Sequence, residues 1–545
     1  MTTTSPSSST ASTASAAPAS PWRPLRHPVF RALWLATIAS NLGTWLQNVG
    51  ASWMMTTLTT STTMVALVQA ATSLPMFLLS LPAGALADVL DRRRILLVTQ
   101  AWMAVSAALL GGLTLAGWMT PGLLLLFTFL LGLGAALNQP AWQAITPELV
   151  PREDLPGAIS LGSVGFNIAR AAGPAIGGLI VAAAGAGANF LLNAASFLGV
   201  MVVLYRWRRP AESVSALPAE RFLGAMSAGL RYVRHSPEVL AVTVRGSAFV
   251  ICSSSLWALL PVVARVDLKQ GPAGYGLMLA ALGIGAVAGA FALPKLNRKG
   301  STDYVVITAT LVFAGATAAL GSIRVFWFLC FALLLAGGAW LSLLSSLNVA
   351  IQTVVPAWVR ARALSVYMLV FFGSLSLGSA LWGLVGDRIG TSPALLAAAA
   401  GQVVALLATM RYRLQSGEGL NLAPSRQWPA PIVHDALEVE DDRGPVLITV
   451  EYRIDPDTAG AFAAAMRDVR RIRLRDGALQ WGLFVDSSDP GRYTEVFLTK
   501  SWLEHLRQHE RVTMTDTDVV LQARAFHIGE APPVVEHLIA ERVER

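Results

Sequence analysis

Residues 84–94 read GALADVLDRRR, at the junction of two apolar runs that cover residues 64–86 and 95–117. Each run is longer than the roughly 20 apolar residues that a helix needs to cross the hydrocarbon core of a bilayer. A short, arginine-rich connection between two such runs is typical of a cytoplasmic loop, because Lys and Arg concentrate on that side of the membrane. This stretch therefore predicts a helical membrane protein.

The composition extends this prediction to most of the chain. Of the 545 residues, 54% are apolar and 14% are charged, and the mean hydropathy is +0.55. An average soluble domain carries about 25% charged residues, which excludes a soluble enzyme for the chain as a whole. Residues 1–439 carry a net charge of +13 and residues 440–545 a net charge of −5. Basic membrane-flanking loops account for the excess of Arg, so we predict no nucleic-acid partner.

Twelve apolar runs are long enough to form membrane-spanning helices. They cover residues 29–55, 64–86, 95–117, 121–143, 158–184, 187–205, 238–266, 275–294, 303–323, 325–351, 362–386 and 391–410. Twenty Lys and Arg residues fall on one set of loops and four on the alternate set. This asymmetry predicts a multi-pass protein of the cell inner (plasma) membrane, with both termini in the cytoplasm.

The runs divide into two groups of six, separated by the basic connection 206–237. Three polar or Pro positions recur about 210 residues apart, as Asn138, Gln143 and Pro147 and then Asn348, Gln352 and Pro356. Tandem six-helix halves are typical of one large class of transporters. We predict an all-α membrane fold of two six-helix bundles with the following boundaries: a disordered leader at 1–24, bundles at 25–205 and 238–413, a linker at 414–440 and a cytoplasmic module at 441–545.

The C-terminal module is expected to be α+β. Alternation predicts strands at 446–454, 478–486 and 493–500, with an amphipathic helix at 456–475. A second helix starts near Ser501, where Ser501 and Glu504 have the spacing of a capping box. The β-α-β-β-α order favours a ferredoxin-like domain.

The loop at 84–94 resembles the signature between the second and third helices of the major facilitator superfamily. Gly84 lets two helices approach closely, and Asp88 is placed to pair with Arg92 to Arg94 or to cap a helix across the interface. The resemblance implies that Gly84, Asp88, Arg92 and Arg94 gate the cytoplasmic side. Val89 and Asp91 depart from the pattern, and an ordinary solvated loop is the alternative.

Residues 170–178, RAAGPAIGG, resemble a motif of exporters and antiporters in the same superfamily. Gly173 and Gly177 form a small-residue seam for close helix packing, and Pro174 kinks the helix between them. We predict that these three residues also take part in gating. Ala169 and Ser160 replace glycines of the motif, so plain helix packing remains the alternative.

Arg170 lies deep in its apolar run, where a cation is expected to face a cavity or the protein interior. Arg245 lies closer to a helix end, and snorkelling to the interface is the alternative there. Because no Asp or Glu lies deep in a run, we predict an electropositive substrate cavity that contains Arg170 and Arg245. Side-chain amides are expected to line it or to bridge helices: Asn41, Gln47, Asn48, Asn138 and Asn167.

The tail histidines His505, His509 and His527 are expected to be exposed or structural, because no Glu lies between the first two as in zinc-protease helices. Cys252 and Cys330 lie in apolar runs and are expected to be buried. We predict no metal site and no cofactor.

Taken together, the chain resembles the enterobactin-exporter-like transmembrane secretion effector family of the major facilitator superfamily. The likeness rests on residues 30–34, 43–47, 81–84, 147–152, 173–174, 475–478 and 501–505. It implies twelve helices and efflux across the plasma membrane, commonly of siderophores or drugs as in drug resistance. It also implies proton exchange, for which Asp88 is the nearest carrier in this sequence.

We therefore predict a secondary active exporter, and not an enzyme, that moves a small polar or anionic molecule by alternating access. Its partners would be the lipid bilayer, the substrate and protons, with a homodimer formed through the C-terminal module. Import is one alternative. Another is a membrane-anchored α+β module that binds a ligand or acts as an enzyme in the cytoplasm.

Overall fold

The computed structural model describes residues 22–207, 222–297, 301–414, 417, 419–425 and 443–541. Most of the predicted leader, the centre of the connection at 208–221 and most of the linker lie outside these residues. The long helices are α1 (Pro28–Leu58), α2 (Thr62–Val89), α3 (Arg92–Leu115), α4 (Pro121–Leu149), α5 (Leu155–Ala184), α6 (Ala186–Arg206), α8 (Pro237–Val262), α9 (Pro272–Asn297), α10 (Thr302–Ser322), α11 (Phe326–Val354), α12 (Arg360–Ile389) and α13 (Thr391–Thr409). The shorter α7 is Phe222–His235.

Each of the twelve predicted apolar runs coincides with one long helix. Within the described part of the chain, eleven of these helices are long and apolar enough to cross a membrane. Helix α1 is not among the eleven, although it has 31 residues. It carries the amides of Asn41, Gln47 and Asn48, which lower its hydropathy.

The helices pack as two equivalent sets, α1–α6 and α8–α13. Within the first set α1 packs on α5 and α6, α2 on α4, and α3 on α4 and α6. The corresponding pairs in the second set, seven helices later, are also in contact. The two sets meet mainly where α2 packs along α12 and α5 along α9.

Helix α7 lies in the stretch that the sequence analysis left as a connection. It is too short and too polar to span a bilayer, and its arginines resemble those of a basic loop. Its buried face is formed by Ala228, Tyr232 and Val233, at helical spacing. The sequence analysis predicted a connection over 206–237, and this helix within it was not predicted.

The C-terminal module, residues 443–541, is a four-stranded antiparallel sheet with its helices on one face. Its elements are β1 (Val446–Arg453), α14 (Ala459–Asp476), β2 (Ala478–Val485), β3 (Arg492–Thr499), α15 (Trp502–Arg511), α16 (Met514–Arg524) and β4 (Val534–Ile539). The sheet order is β2-β3-β1-β4. Three strands and the helices α14 and α15 agree with the predictions, whereas α16 and β4 were not predicted. The sequence carries a signal for α16, because Thr513 and Asp516 form a capping box.

A buried ion pair joins α14 to the sheet. The Arg473 Nε donates to Glu495 Oε1 at 3.0 Å, and both side chains are almost fully buried. Trp481 donates to the same carboxylate at 3.0 Å, and the Tyr452 hydroxyl donates to it at 3.3 Å. Removing one member of a buried pair leaves an uncompensated charge.

Replacing Glu495 by Gln is therefore expected to destabilise the module by about 3–5 kcal/mol. Hydrogen exchange of the full-length protein would show faster exchange of the β1 and β3 amides. The matched control is Glu536→Gln on exposed β4, for which we expect no change. Equal protection in both variants would contradict the role given to Glu495.

Candidate substrate pathway

The two ends of the helical body differ in what they contact. We call the end that contacts the C-terminal module the module end, and the opposite end, where α1 ends and α2 begins, the far end. At the module end, Glu504 accepts from Arg231 of α7 at 3.1 Å and from Arg511 at 2.6 Å. The guanidinium of Arg511 lies 4.8 Å from the centre of the Trp358 ring, in the turn between α11 and α12. The module is thus fastened to the helical body.

At the far end, a carboxylate of one helix set caps a helix of the other. Asp387, near the end of α12, accepts from the backbone N–H groups of Thr62 at 2.5 Å and Thr63 at 3.1 Å. It also accepts from the Ser61 hydroxyl at 2.8 Å. These groups form the N-terminus of α2, where an anion satisfies unpaired donors and the helix dipole. This contact joins α12 of one set to the start of α2 of the other.

Replacing Asp387 by Asn is expected to favour opening of the far end by about 0.3–1 kcal/mol, because it removes the negative charge that interacts with the dipole of α2. The measurement is the rate of alkylation of a cysteine introduced at Thr60, next to this contact. The control variant is Arg388→Gln, one residue away and exposed. Unchanged alkylation in Asp387→Asn would show that the cap does not hold the far end closed.

A seam of small residues closes the α5–α9 contact. A Cβ atom added at Gly178 would lie 2.5 Å from the carbonyl oxygen of Pro272 and 3.0 Å from the Cα of Gly276. Within the first set, a Cβ at Gly173 would lie 2.5 Å from the Cβ of Trp45, and one at Gly177 would lie 3.2 Å from the Cα of Leu46. The backbones approach so closely because these positions lack side chains.

Further contacts between the sets lie in the same half of the body. The Trp53 ring stacks on Tyr275 at 6.0 Å, and Arg265 donates to the Thr56 hydroxyl at 3.2 Å. Ser376 of α12 donates to the Ala70 carbonyl at 3.4 Å. The described hydrogen bonds and ring contacts between the two sets therefore lie towards the far end.

Arg170 lies midway along α5, where the seam ends. A Cβ at Gly283 of α9 would lie 2.5 Å from the Arg170 carbonyl oxygen, so the backbone is at the contact between the sets. The side chain is half-buried. It forms no hydrogen bond or ion pair with a residue that the structure describes. A half-buried cation at this depth is free to bind an anionic or hydrogen-bond-accepting group.

Arg245 does not share this environment, which corrects its prediction as a cavity residue. Its side chain is 4% exposed and forms an ion pair with Asp303 at the start of α10. It also donates to the Tyr412 carbonyl at 3.4 Å. Arg245 therefore fastens α8 to neighbouring helices of its own set.

The predicted amides divide into two groups. Asn138 accepts from Thr99 at 3.1 Å and from Gln100 at 3.3 Å, so its carbonyl oxygen bridges α4 to α3 and is not available to a substrate. The Asn167 amide donates to the carbonyl of Ser163, one turn earlier, at 2.9 Å.

The other three amides lie on α1. Asn41 and Asn48 are half-buried, whereas Gln47 is 5% exposed. Neither amide atom of Gln47 has a partner among the described residues. Of these three amides, Gln47 is therefore the buried one that has both its donor and its acceptor unpaired with described residues.

The residues predicted to form a gate take different roles in this conformation. Arg92 donates to Glu148 of α4 at 2.8 Å, within the first helix set. Arg94 is exposed, and nothing lies within 4 Å of a Cβ added at Gly84. Asp88 is in the last turn of α2, and its side chain lies outside the described part of the structure. Arg92 therefore joins α3 to α4, and its predicted latch with Asp88 stays a prediction, because that side chain lies outside the described residues.

A cavity of about 430 Å³, which was not predicted from the sequence, lies between α11 and α12 near the module end. Tyr367, Met368 and Phe371 line it from α12, and Leu344 and Asn348 line it from α11. It is apolar apart from a few groups, as is typical of small-molecule sites. One sequence feature pointed to this cavity: Asn138 of the first half recurs as Asn348 in the second half.

The tail histidines are placed differently from each other. His527 is structural, as predicted, because its Nδ1 accepts from the Arg453 N–H at 2.8 Å and its Nε2 lies 2.9 Å from the Ala531 carbonyl oxygen. His505 and His509 instead lie beside His537 of β4. The prediction of merely structural roles did not anticipate that cluster.

Comparison with known proteins identifies the family. The family model described as transmembrane secretion effector matches residues 19–545. The enterobactin exporter EntS of Shigella boydii serotype 18 (strain CDC 3083-94 / BS512) is 30% identical over 387 residues, which cover 69% of this chain and 89% of that protein. EntS of Escherichia coli O157:H7 (strain EC4115 / EHEC) has the same identity and coverage.

Solved transporters share the fold of the helical body. A mutant of the nucleoside transporter NupG has a TM-score of 0.59 at 14% identity, covering 70% of this chain and 99% of that one. A bacterial homologue of the iron transporter ferroportin, in an inward-facing state, has a TM-score of 0.54 at 15% identity, covering 71% and 98%. The chain belongs to the transmembrane secretion effector family and is a multi-pass exporter of the bacterial inner membrane with the major facilitator fold.

Proposed function

We propose that this exporter carries a small polar or anionic molecule, siderophore-like or drug-like, from the module end to the far end by alternating access. In this scheme α1 is a twelfth membrane-spanning helix, and the two six-helix sets rock about the α2–α12 and α5–α9 contacts. The observation that carries the proposal is the position of Arg170. It lies halfway along α5, where the α5–α9 seam ends, and it forms no hydrogen bond or ion pair with a described residue.

The substrate class follows from the groups along this path. A half-buried guanidinium favours carboxylate, phenolate or other hydrogen-bond-accepting groups, which it can bind with two parallel hydrogen bonds. The cavity between α11 and α12 adds an aromatic and apolar surface. The curated relatives are named enterobactin exporters, which supports a siderophore among the candidate substrates.

The direction of transport follows from the proposed orientation. With both termini in the cytoplasm, the module end is cytoplasmic and the far end faces outward, as the loop arginines favour. A proton gradient would supply about 1.4 kcal/mol per pH unit, and the membrane potential about 2.3 kcal/mol per 100 mV and charge. Asp88 is the proposed proton carrier.

The C-terminal module is proposed to be a ferredoxin-like regulatory or assembly domain and not an enzyme. Its strand order and antiparallel pairing support that topology. The sheet face turned away from the helices exposes Phe484, Val534 and Leu538. An exposed apolar face of this kind supports a homodimer in which two modules pack sheet against sheet.

The test is uptake by inverted membrane vesicles of a panel of siderophores, antibiotics and dyes, with and without an imposed pH gradient. We expect accumulation of at least one anionic siderophore or drug, stimulated by an acidic vesicle interior. Accumulation in intact cells, with none in inverted vesicles, would indicate import and contradict the proposal.

A further inference from the structure

The C-terminal module brings three histidines together from distant parts of the sequence. His505 and His509 lie one turn apart on α15, and His537 lies on edge strand β4. The rings of His509 and His537 each have their centres 4.8 Å from that of His505. One ligand nitrogen from each residue can be chosen so that all three lie within 4.8 Å of one another.

The burial of His505 is not explained by a hydrogen bond of normal geometry. Its side chain is 1% exposed, it lies against the Trp502 ring, and neither ring nitrogen has a partner of normal geometry, the side chain of Gln508 being in weaker reach. A buried polar group without a partner is costly and calls for an explanation, such as an ion that occupies the site. A residue that only filled the core would be apolar.

We propose that His505, His509 and His537 bind one divalent transition-metal ion of the Zn²⁺ class. A tetrahedral site with metal–nitrogen distances of about 2.0–2.1 Å needs ligand nitrogens about 3.3 Å apart. The three side chains would therefore close by about 1.5 Å or less, which small side-chain rotations can supply. Solvent would complete the coordination, because His537 is only half-buried. Imidazole ligands favour Zn²⁺, Cu²⁺, Ni²⁺ or Fe²⁺ over Mg²⁺ or Ca²⁺.

Metal binding would affect the contact between the C-terminal module and the helical body. Helix α15 carries two of the three histidines and also Glu504, which holds Arg231 of α7. An ion that ties α15 to β4 restricts the motion of Glu504. The site is thus placed to adjust how firmly the module is docked on the exporter.

The experiment measures zinc binding by the purified full-length protein, prepared without a histidine tag. Equilibrium dialysis with ZnCl₂ is compared for wild type, His509→Gln, His537→Gln and the matched control His527→Gln, which removes an imidazole of the same module outside the cluster. We expect one high-affinity Zn²⁺ per chain, weakened more than about tenfold in each cluster variant and unchanged in the control. Cobalt should bind with the absorption bands of tetrahedral coordination.

Two results would overturn the proposal: no saturable zinc binding by the wild type, or binding that both cluster variants retain. Hydrogen exchange of the β1 amides reports whether each variant is folded, so loss of binding through misfolding is recognised. The readout does not depend on transport, and the proposed function can fail while this site stands.

Discussion

Replacing Arg170 by Ala is expected to reduce export in inverted vesicles by about 10- to 100-fold. A hydrogen bond from a charged donor contributes about 1.5–3 kcal/mol, and every 1.4 kcal/mol changes an equilibrium by a factor of ten. Arg170 is half-buried, lies where the α5–α9 seam ends, and forms no ion pair with a described residue. Its loss would therefore remove binding of the substrate and leave the helix contacts in place.

Two further variants separate charge from packing. Arg170→Lys keeps the charge but loses the two parallel donors, so an intermediate rate is expected. Arg26→Ala, which removes an exposed arginine two residues before α1, should transport normally. Normal export by Arg170→Ala at normal expression would contradict the role given to this residue.

Replacing Gly276 by Val is expected to abolish most export by preventing closure of the far end. A Cβ at this position would lie 2.9 Å from the Cα of Gly178 and closer still to the Pro174 carbonyl oxygen. Because both neighbours are backbone, they cannot rotate away. Overpacking of this kind costs about 1–3 kcal/mol or more, and here the cost falls only on the state in which α5 and α9 touch.

The readout for Gly276→Val is alkylation of a far-end cysteine, which should become faster as export falls. The matched control is Gly112→Val on α3, where nothing lies within 4 Å of the added Cβ. If Gly276→Val exported normally, or if Gly112→Val lost export equally, the seam would not be the far-end seal.

The membrane helices were predictable because a run of apolar residues long enough to span the bilayer can be recognised directly in the sequence. Each apolar run became a helix, and the Pro and Arg clusters marked the ends. Helix α7 was not predicted, because its arginines resemble those of a basic loop and its apolar face is narrow. That face is formed by Ala228, Tyr232 and Val233. Strand β4 was not predicted, because it forms by pairing with β1, about 90 residues earlier, and is mostly exposed.

The site was only partly predictable, because most of its residues are brought together by elements that are distant in the sequence. Depth in a run singled out Arg170, but it could not show that Arg245 meets Asp303 across two helices. The histidine spacing on α15 was visible, whereas the third member, His537, is brought in by the sheet register opposite Ile448. Contacts between elements distant in sequence carry no local signal.

The most direct test of alternating access is a pair of distance measurements by spin labels on the two ends. One pair joins Thr60 and Arg388 at the far end, and the other joins Leu86 and Ala361 at the module end. With substrate and a pH gradient, we predict that the far-end distance lengthens while the module-end distance shortens. If both distances stayed fixed while export proceeded, or if both changed in the same direction, the two helix sets would not rock about a central site.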